Sequence, residues 1–468
     1  MIDVASRLQA LGRVRAALPG LQWVDDAAQV ARLSQDFYWY SPVLKQQLAG
    51  RVADAVVRPR DVEELRALVG ACAREGVSIT PRGAGTGNYG QAVPLHGGVV
   101  IDFGGLNRAT WIRRGAGRAQ AGMRLADFDR AAREHGQELR LLPSTYRIAS
   151  VGGLFAGGFG GIGSINHGPL GAPGNLLGVR AMSVEPEPRV VELRGAEALQ
   201  LHHMWGTNGL VVEVELALAP AQDWAEHIVT FADRDTALEF AQALSAAPGM
   251  LKKNVCVLLD PVPRYLTRLQ EHLPAGAHAV IALVAEVSEP ALAELVSARG
   301  GNASYRAAAA DVGPRLPTLQ ECCWNHTTLH ALKVDPTLTY LQNSFTPGIH
   351  LQQVREVHAL FGDELMWHLE FIRGMDGALT CTALPLVRYS TEERLNQIIA
   401  TLRARGVRVN NPHVNTVEDG KFGGTLSPEA VAMKRRLDPQ GLLNPGKLRT
   451  WAGDRQGGDK LEASRPPQ

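Results

Sequence analysis

The residues able to do chemistry fall into two groups, glycine-rich loops and runs of clustered polar side chains. Gly85-Thr86-Gly87-Asn88-Tyr89-Gly90 satisfies G-x-G-x-x-G directly after the apolar run at 77–80. In a Rossmann dinucleotide fold a helix would open there, because its N-terminus holds the pyrophosphate. Here Pro94, Gly97 and Gly98 follow, and they do not make that helix. A second match, Gly158 to Gly163, opens no helix either. What survives is a run of backbone N–H groups able to nest an anion. The segment 150–164 holds seven glycines in 15 residues. That density costs backbone entropy and is tolerated where the chain approaches something flat or crowded. Two such loops joined by strands describe a groove for one long, phosphate-bearing cofactor.

The polar side chains gather at 321–333, with His326, His330 and Lys333, and at 409–415, with Asn411, His413 and Asn415. His413 is the candidate general base, because an imidazole titrates near neutrality. Asn411 or Asn415 would orient its ring, and Lys333 and Arg373 are cations able to pair with an anionic group. His326 is the second candidate. His326 and His330 are also spaced i, i+4 as metal ligands can be, but no acidic third ligand follows nearby. His368 and Glu370, two apart on a strand-like run, share a face.

These side chains need a scaffold of more than one domain. The chain has 468 residues, 45% of them hydrophobic and 20% charged, enough to bury large cores. Lysine plus arginine number 48 against 47 acids, so no basic excess exists to neutralise a nucleic acid. Five cysteines form no CxxC pair, which argues against a disulfide framework and for a reducing compartment. No stretch of about 18 apolar residues spans a membrane, and the N-terminus lacks the apolar core of a signal peptide. The expectation is a cytoplasmic protein. Residues 1–47 read as a helical lead-in, with Leu8, Leu11, Val14 and Leu18 on one face. The glycine-rich 48–220 alternates short strands with a helix at 61–75, and 179–193 reads as a hairpin. Residues 221–410 form a second α+β domain, 411–450 return to the first, and 451–468 make a disordered tail.

The ordered motifs RPRDVEELRALVGACAREG, PRGAGTGNYG, GGVVIDFGGLNR, GRAQAGMRLADFDRAAREHG, SVGGLFAGGFGGIGS and WGTNGLVVEVEL, with a closing LDPQGLLNPGKL, carry a family resemblance. The chain resembles the PCMH-type FAD-binding flavoproteins, the vanillyl-alcohol oxidase and p-cresol methylhydroxylase superfamily. Within it, the texture is that of the D-lactate dehydrogenase and glycolate oxidase flavin subunits. The resemblance implies an α+β fold, with a two-subdomain FAD domain and a ferredoxin-like cap. It implies FAD wrapped at its pyrophosphate by Pro81, Arg82, Gly83, Ala84, Gly85, Thr86, Gly87, Asn88 and Tyr89. Ser144, Thr145, Ser150, Val151, Gly152 and Gly153 would border the flavin ring. Gly157, Gly161 and Ser164 would let the chain pass close to the cofactor, with Val212 at the adenine end and Asn444 beside the ring. Relatives that bind FAD covalently carry a histidine where Thr86 stands, so attachment should be non-covalent. Hydroxy-acid relatives hold a metal through two histidines and a glutamate; Arg373, Thr380 and Pro412 occupy those places, so no metal is expected.

The implied activity is hydride transfer from a small alcohol or 2-hydroxy acid to FAD, with oxygen, a quinone or a redox protein as electron acceptor. Two readings stand beside it: oxidation of an aryl alcohol, polyol or amine, and a non-catalytic subunit of a redox complex. Either homo- or hetero-oligomers are compatible with the sequence.

Overall fold

The computed structural model describes residues 4–308, 318–420 and 424–454. The N-terminal lead-in is the helix Val4–Ala17, which buries Ala10, Leu11 and Val14. Leu8, expected on the same face, is instead exposed. The helix Val62–Glu75 shows why local sequence sufficed there: the Asp61 carboxylate caps Glu64 N–H, and Gly76 ends the helix in the left-handed region at φ +66°. Both signals are readable in one dimension.

The glycine-rich half builds two sheets. In the first, Ala55–Val57, Val99–Asp102 and Ile79–Arg82 run parallel, with Trp23–Val24 antiparallel at the edge. The second is antiparallel and centred on Leu210–Pro220, which pairs with Ala116–Gln120 on one side and Leu176–Met182 on the other. Leu176–Met182 also pairs with Val190–Arg194, the expected hairpin. One hydrophobic core joins both sheets through Val57, Ile79, Ile101, Phe128, Val179 and Val214.

The second half is built on an eight-stranded antiparallel sheet made of two βαββαβ units, with a small three-stranded sheet of Leu338–Tyr340, Leu386–Arg388 and Leu365–Met366 beside it. Strands Trp224–Phe231, Lys252–Leu258, His278–Ala285 and Asn302–Ala308, with helices Arg234–Ala246 and Glu289–Ala298, form the first. Strands Gln342–Ser344, His368–Arg373, Leu379–Ala383 and Arg408–Asn410, with helices His350–Phe361 and Glu392–Ala404, form the second. Each has the ferredoxin-like strand order, and the second strand of each unit pairs with that of the other, Cys256 opposite Glu370. The doubling left no sequence repeat, because only the alternation of buried positions is shared.

The sheet has two different faces. Val255, Val257, Leu369, Phe371, Cys381 and Ala383 pack under the helices. The opposite face carries Asn254, Cys256, His368, Glu370 and Thr382, and Leu283 from this face joins the core of the first half. The helix Arg449–Asp454 lies where a disordered tail was expected; 455–468 lie outside the described residues.

Candidate functional site

The first glycine loop leaves the C-terminal end of Ile79–Arg82, and its positions are crowded from beneath. Gly85 sits at φ +70°, and a Cβ there would lie 2.1 Å from the Arg82 guanidinium. That guanidinium is held by Gln35 C=O and reaches Ala84 C=O at 3.4 Å. A Cβ at Gly83 would lie 2.2 Å from Ser150 Oγ, so the two glycine segments touch. Ser150 in turn caps the helix Val151–Gly157 by accepting from Gly153 N–H at 3.1 Å. Gly87 C=O accepts from Phe37 N–H at 2.6 Å, which fastens the lead-in to the loop.

Asn444, at φ +44°, fixes the other side. Its amide donates to Gln91 C=O at 2.9 Å and Trp205 C=O at 2.8 Å, while its own N–H donates to Ile79 C=O at 2.6 Å. One side chain thus ties the first glycine loop, the W-G-T-N-G turn and the C-terminal return together. Below the loop, Asp36 accepts from Tyr38 N–H and Ala92 N–H. Burial pushes the Asp36 carboxyl up and draws the Lys447 ammonium down, their mutual attraction opposing both shifts. Asn88 Nδ2, Trp205 Nε1, Asn444 Oδ1 and Lys447 Nζ are buried without a hydrogen-bond partner. Buried polar atoms are normally satisfied, and these four belong to the segments that Asn444 and the first loop bring together. They fit a polar, phosphate-bearing cofactor.

The second glycine segment divides into two kinds of position. A Cβ at Gly152 would strike Ala121 at 2.6 Å, and one at Gly161 would strike Leu142 C=O at 2.3 Å. Ser164 spends its hydroxyl on Gly161 N–H at 3.0 Å, and Val212 is wholly buried with its C=O taken by Ala121 N–H. At Gly152 and Gly161 the small residue is required by neighbouring protein, which corrects the expectation that cofactor contact explains Gly161. Gly153 and Gly157 are different: a Cβ would meet only Ser150 Oγ at 3.0 Å and the Gln91 side chain at 3.4 Å. Ser144 is buried, and Thr145 C=O accepts from Ile148 and Ala149 N–H in the adjoining turn.

The nominated catalytic residues do not converge. His413 Nε2 faces Tyr340 C=O at 2.8 Å, and a carbonyl only accepts, so Nε2 carries the proton. Nδ1 therefore accepts from Ser41 Oγ–H at 2.7 Å, and both ring nitrogens are committed. Burial draws this imidazole down to about 4, the Tyr340 carbonyl opposing. The lone pair that a general base needs is occupied. Asn411 Oδ1 accepts the His413 backbone N–H at 3.0 Å and Asn415 reaches Gln47 at 3.3 Å, so neither orients the ring. His413, Asn411 and Asn415 border a cavity of about 310 Å³ with Gln47 and Asn396.

Lys333 is exposed near the end of helix Asn325–Val334. Arg373 donates to Gly377 C=O at 2.9 Å in its own hairpin turn. The register pairs Ile372 with Thr380 and Arg373 with Leu379, so Arg373 alternates with Phe371 towards the helix side. His326 is drawn down to about 4 by burial, with His330 and Lys333 adding to it.

What the sheet does assemble is a polar row on the face turned to the first half. Register places Cys256, Glu370, Thr382, Ser344 and Arg408 side by side across five strands. Beside it, Tyr89 of the first loop hydrogen-bonds Gln342. Glu370 is fully buried and accepts from His368 Nε2 at 2.9 Å, Trp324 N–H at 2.7 Å and Asn254 Nδ2 at 3.3 Å. Cys256, His368 and Glu370 bring ligand-type atoms within 4.8 Å of one another, a separation those hydrogen bonds already account for in the His–Glu pair. Sequence reasoning noticed His368 and Glu370 as a shared face. It missed Asn254 and Arg408, which only the register brings there.

With this geometry in place, comparison with known proteins is informative. Residues 53–192 match a family model described as an FAD binding domain. An uncharacterized FAD-linked oxidoreductase of Mycobacterium tuberculosis is 31% identical over 210 residues, covering 42% of this chain and 43% of that protein. The chain thus matches less than half the length of that relative. Glycolate oxidase subunit GlcD of Bacillus subtilis is 22% identical over 84% of this chain and 88% of its own. D-lactate dehydrogenase of Archaeoglobus fulgidus is 28% identical over 32% of this chain and 34% of its own. Among solved structures, an alkyldihydroxyacetonephosphate synthase superposes with a TM-score of 0.70 at 14% identity, covering 94% of this chain and 85% of that one. That likeness concerns the fold. The two touching glycine segments lie within residues 53–192, so the groove they form belongs to the FAD binding domain that the family model describes, and the chain is similar to the glycolate oxidase and D-lactate dehydrogenase flavoproteins.

Proposed function

We propose that this flavoprotein takes hydride from a CH–OH donor, a small alcohol or 2-hydroxy acid, onto non-covalently held FAD. The observation that carries the reading is the meeting of the two glycine segments, with unpartnered buried polar atoms around them, opposite a polar sheet face. Arg82 to Tyr89 would hold the pyrophosphate through backbone N–H groups, and the Arg82 guanidinium underneath adds positive field. Gly153 and Gly157, whose Cβ directions meet only the Ser150 and Gln91 side chains and no backbone, would lie against the cofactor. The bound cofactor supplies a ring that accepts hydride. The chain's part is to hold the donor between that groove and the row Glu370–Thr382–Ser344–Arg408. Arg408 replaces Lys333 and Arg373 in this reading as the cation for a donor carboxylate, because register sets it on the right face.

A donor without a carboxylate, an aryl alcohol, polyol or amine, is the second reading. It is favoured by Ile372 and Thr380 standing opposite each other in the hairpin where relatives ligate a metal. Neither reading requires a metal. Oxygen, a quinone or a redox protein would reoxidise the cofactor; among the described residues no helix is long and apolar enough to cross a membrane. The test is anaerobic single-turnover bleaching of the yellow protein by glycolate, D-lactate, D-2-hydroxyglutarate, benzyl alcohol, glycerol and benzylamine. Bleaching by a hydroxy acid or alcohol supports the reading. FAD that dithionite reduces but no donor bleaches would leave the redox-subunit alternative.

A further inference from the structure

We propose that Trp324 is the fixed aromatic wall over the flavin end of the groove, and that Glu370 is its positioning residue. The proposal rests on the FAD groove described above and on four observations about one short loop.

First, the backbone at Trp324 is in a region that side chains other than glycine rarely adopt, φ +52° and ψ −140°. Such a conformation costs on the order of 1–3 kcal/mol and persists only where surroundings over-determine it. Second, the surroundings do so. Glu370 Oε1 accepts Trp324 N–H at 2.7 Å, Asn254 Oδ1 accepts the indole N–H at 3.4 Å, and Asn254 Nδ2 donates to Glu370 Oε2 at 3.3 Å. Main chain and ring are therefore gripped by the same buried pair. Third, the loop is held at both ends from one sheet face. Glu226, also wholly buried, accepts Leu319 N–H at 2.8 Å, and Thr327 Oγ donates to Cys322 C=O at 2.6 Å. Fourth, the held ring reaches across to the other half. A Cβ on Gly160, in the second glycine segment, would lie 3.1 Å from Trp324 Cη2, and the indole packs against the cores of both halves while remaining partly exposed.

A ring needed only to cement two domains could be delivered by an unstrained loop and buried completely. This one is strained, hydrogen-bonded at both its N–H groups, packed edge-on against the glycine segment, and left partly exposed. That arrangement fixes a flat surface where a donor must enter beside the cofactor. It also explains Gly160, whose missing side chain admits the indole.

The test reads the cofactor rather than turnover. FAD-loaded wild type, Trp324→Phe, Trp324→Ala, Glu370→Gln and Asn254→Ala are compared by flavin fluorescence, by iodide quenching of it, and by the FAD dissociation constant. An indole beside the ring quenches flavin emission, so Trp324→Phe should raise emission several-fold with iodide access unchanged. Trp324→Ala should raise both emission and iodide access by about threefold or more. Glu370→Gln and Asn254→Ala should move both in the same direction by less, because the ring is loosened and not removed. FAD affinity should change by under about threefold throughout. Loaded Trp324→Phe and Glu370→Gln with wild-type emission and iodide access would overturn the proposal. A wild type that binds no FAD would instead overturn the FAD-groove reading on which it rests.

Discussion

His413 gives the sharpest opposition between a chemical and an architectural role. Its Nδ1 is taken by Ser41 Oγ–H and its Nε2–H by Tyr340 C=O, so one imidazole joins the helix Pro42–Gln47, the strand Leu338–Tyr340 and the C-terminal return. Replacing it with alanine leaves a buried hydroxyl without its acceptor and a buried carbonyl without its donor. At about 1–3 kcal/mol for each unsatisfied group, the loss is about 2–6 kcal/mol at pH 7.5. The pH dependence adds a second handle. The folded imidazole titrates at about 4, below its ordinary 6.5, so between those values the unfolded chain binds the extra proton. The contribution is therefore complete above about 6.5 and falls by about 1.4 kcal/mol per pH unit as pH drops towards 4. At pH 5 wild type should have lost about 2 kcal/mol from this group, and His413→Ala none of it. Urea unfolding of both proteins at pH 7.5 and 5.0 measures this as a stability gap that narrows in acid. Anaerobic flavin reduction of the folded, FAD-loaded variant should stay within about tenfold of wild type. Unchanged unfolding midpoints with reduction slowed by about 10²–10⁴ would mean that His413 is a base after all and that its hydrogen bonds rearrange around the donor.

The remaining predictions concern the cofactor and its surroundings. Gly153→Val should fold with a melting temperature near that of the wild-type apoprotein yet bind FAD at least 100-fold more weakly, by titration of the apoprotein. Gly161→Ala should instead unfold at lower temperature, because its methyl would meet Leu142 C=O at 2.3 Å; equal melting temperatures would refute the packing argument. Acid or heat denaturation should release all the FAD to the supernatant, since Thr86 has no nucleophilic ring to attach it; flavin remaining with the precipitated chain would count against this. Incubation with a chelator should leave activity unchanged and metal analysis should give well under one ion per chain. Stoichiometric metal whose removal stops turnover would direct attention to Cys256, His368 and Glu370.

Legibility in the sequence followed the range of the interactions. The helices at 62–75 and 428–437 were readable because Asp61 and Ser427 cap neighbours three residues away. The glycine loops were readable because composition alone implies close backbone approach, although it could not say what approaches. At Gly161 it is the Leu142 backbone, at Gly85 it is Arg82, and at Gly153 and Gly157 it is no more than the Ser150 and Gln91 side chains, at 3.0 and 3.4 Å. The second half was opaque for a physical reason. Which side chains share its inner face depends on pairings such as Cys256 with Glu370 and Ser344 with Arg408, between residues far apart in the chain. Strand alternation sets Arg373 on the helix side with Phe371, away from the inner face that carries His368 and Glu370.

The same logic explains why polar type and neighbourhood alone misdirected the choice of catalytic residues. His413, Asn411 and Asn415 form the most chemically suggestive run in the chain, and the fold spends all three on local or domain-spanning hydrogen bonds. Glu370 lies in a mostly apolar strand, HLEFIR, where the sequence shows only that it shares a face with His368. In three dimensions it accepts three hydrogen bonds and holds Trp324, a strained aromatic residue whose ring meets Gly160 of the second glycine segment. A buried carboxylate costs desolvation energy, and the donors from His368, Asn254 and the Trp324 backbone together offset that cost. The strained loop and the buried acid therefore depend on each other. Glu370→Gln loosens the indole and Trp324→Ala removes it, so both must shift the cofactor's emission in the same direction if the wall exists.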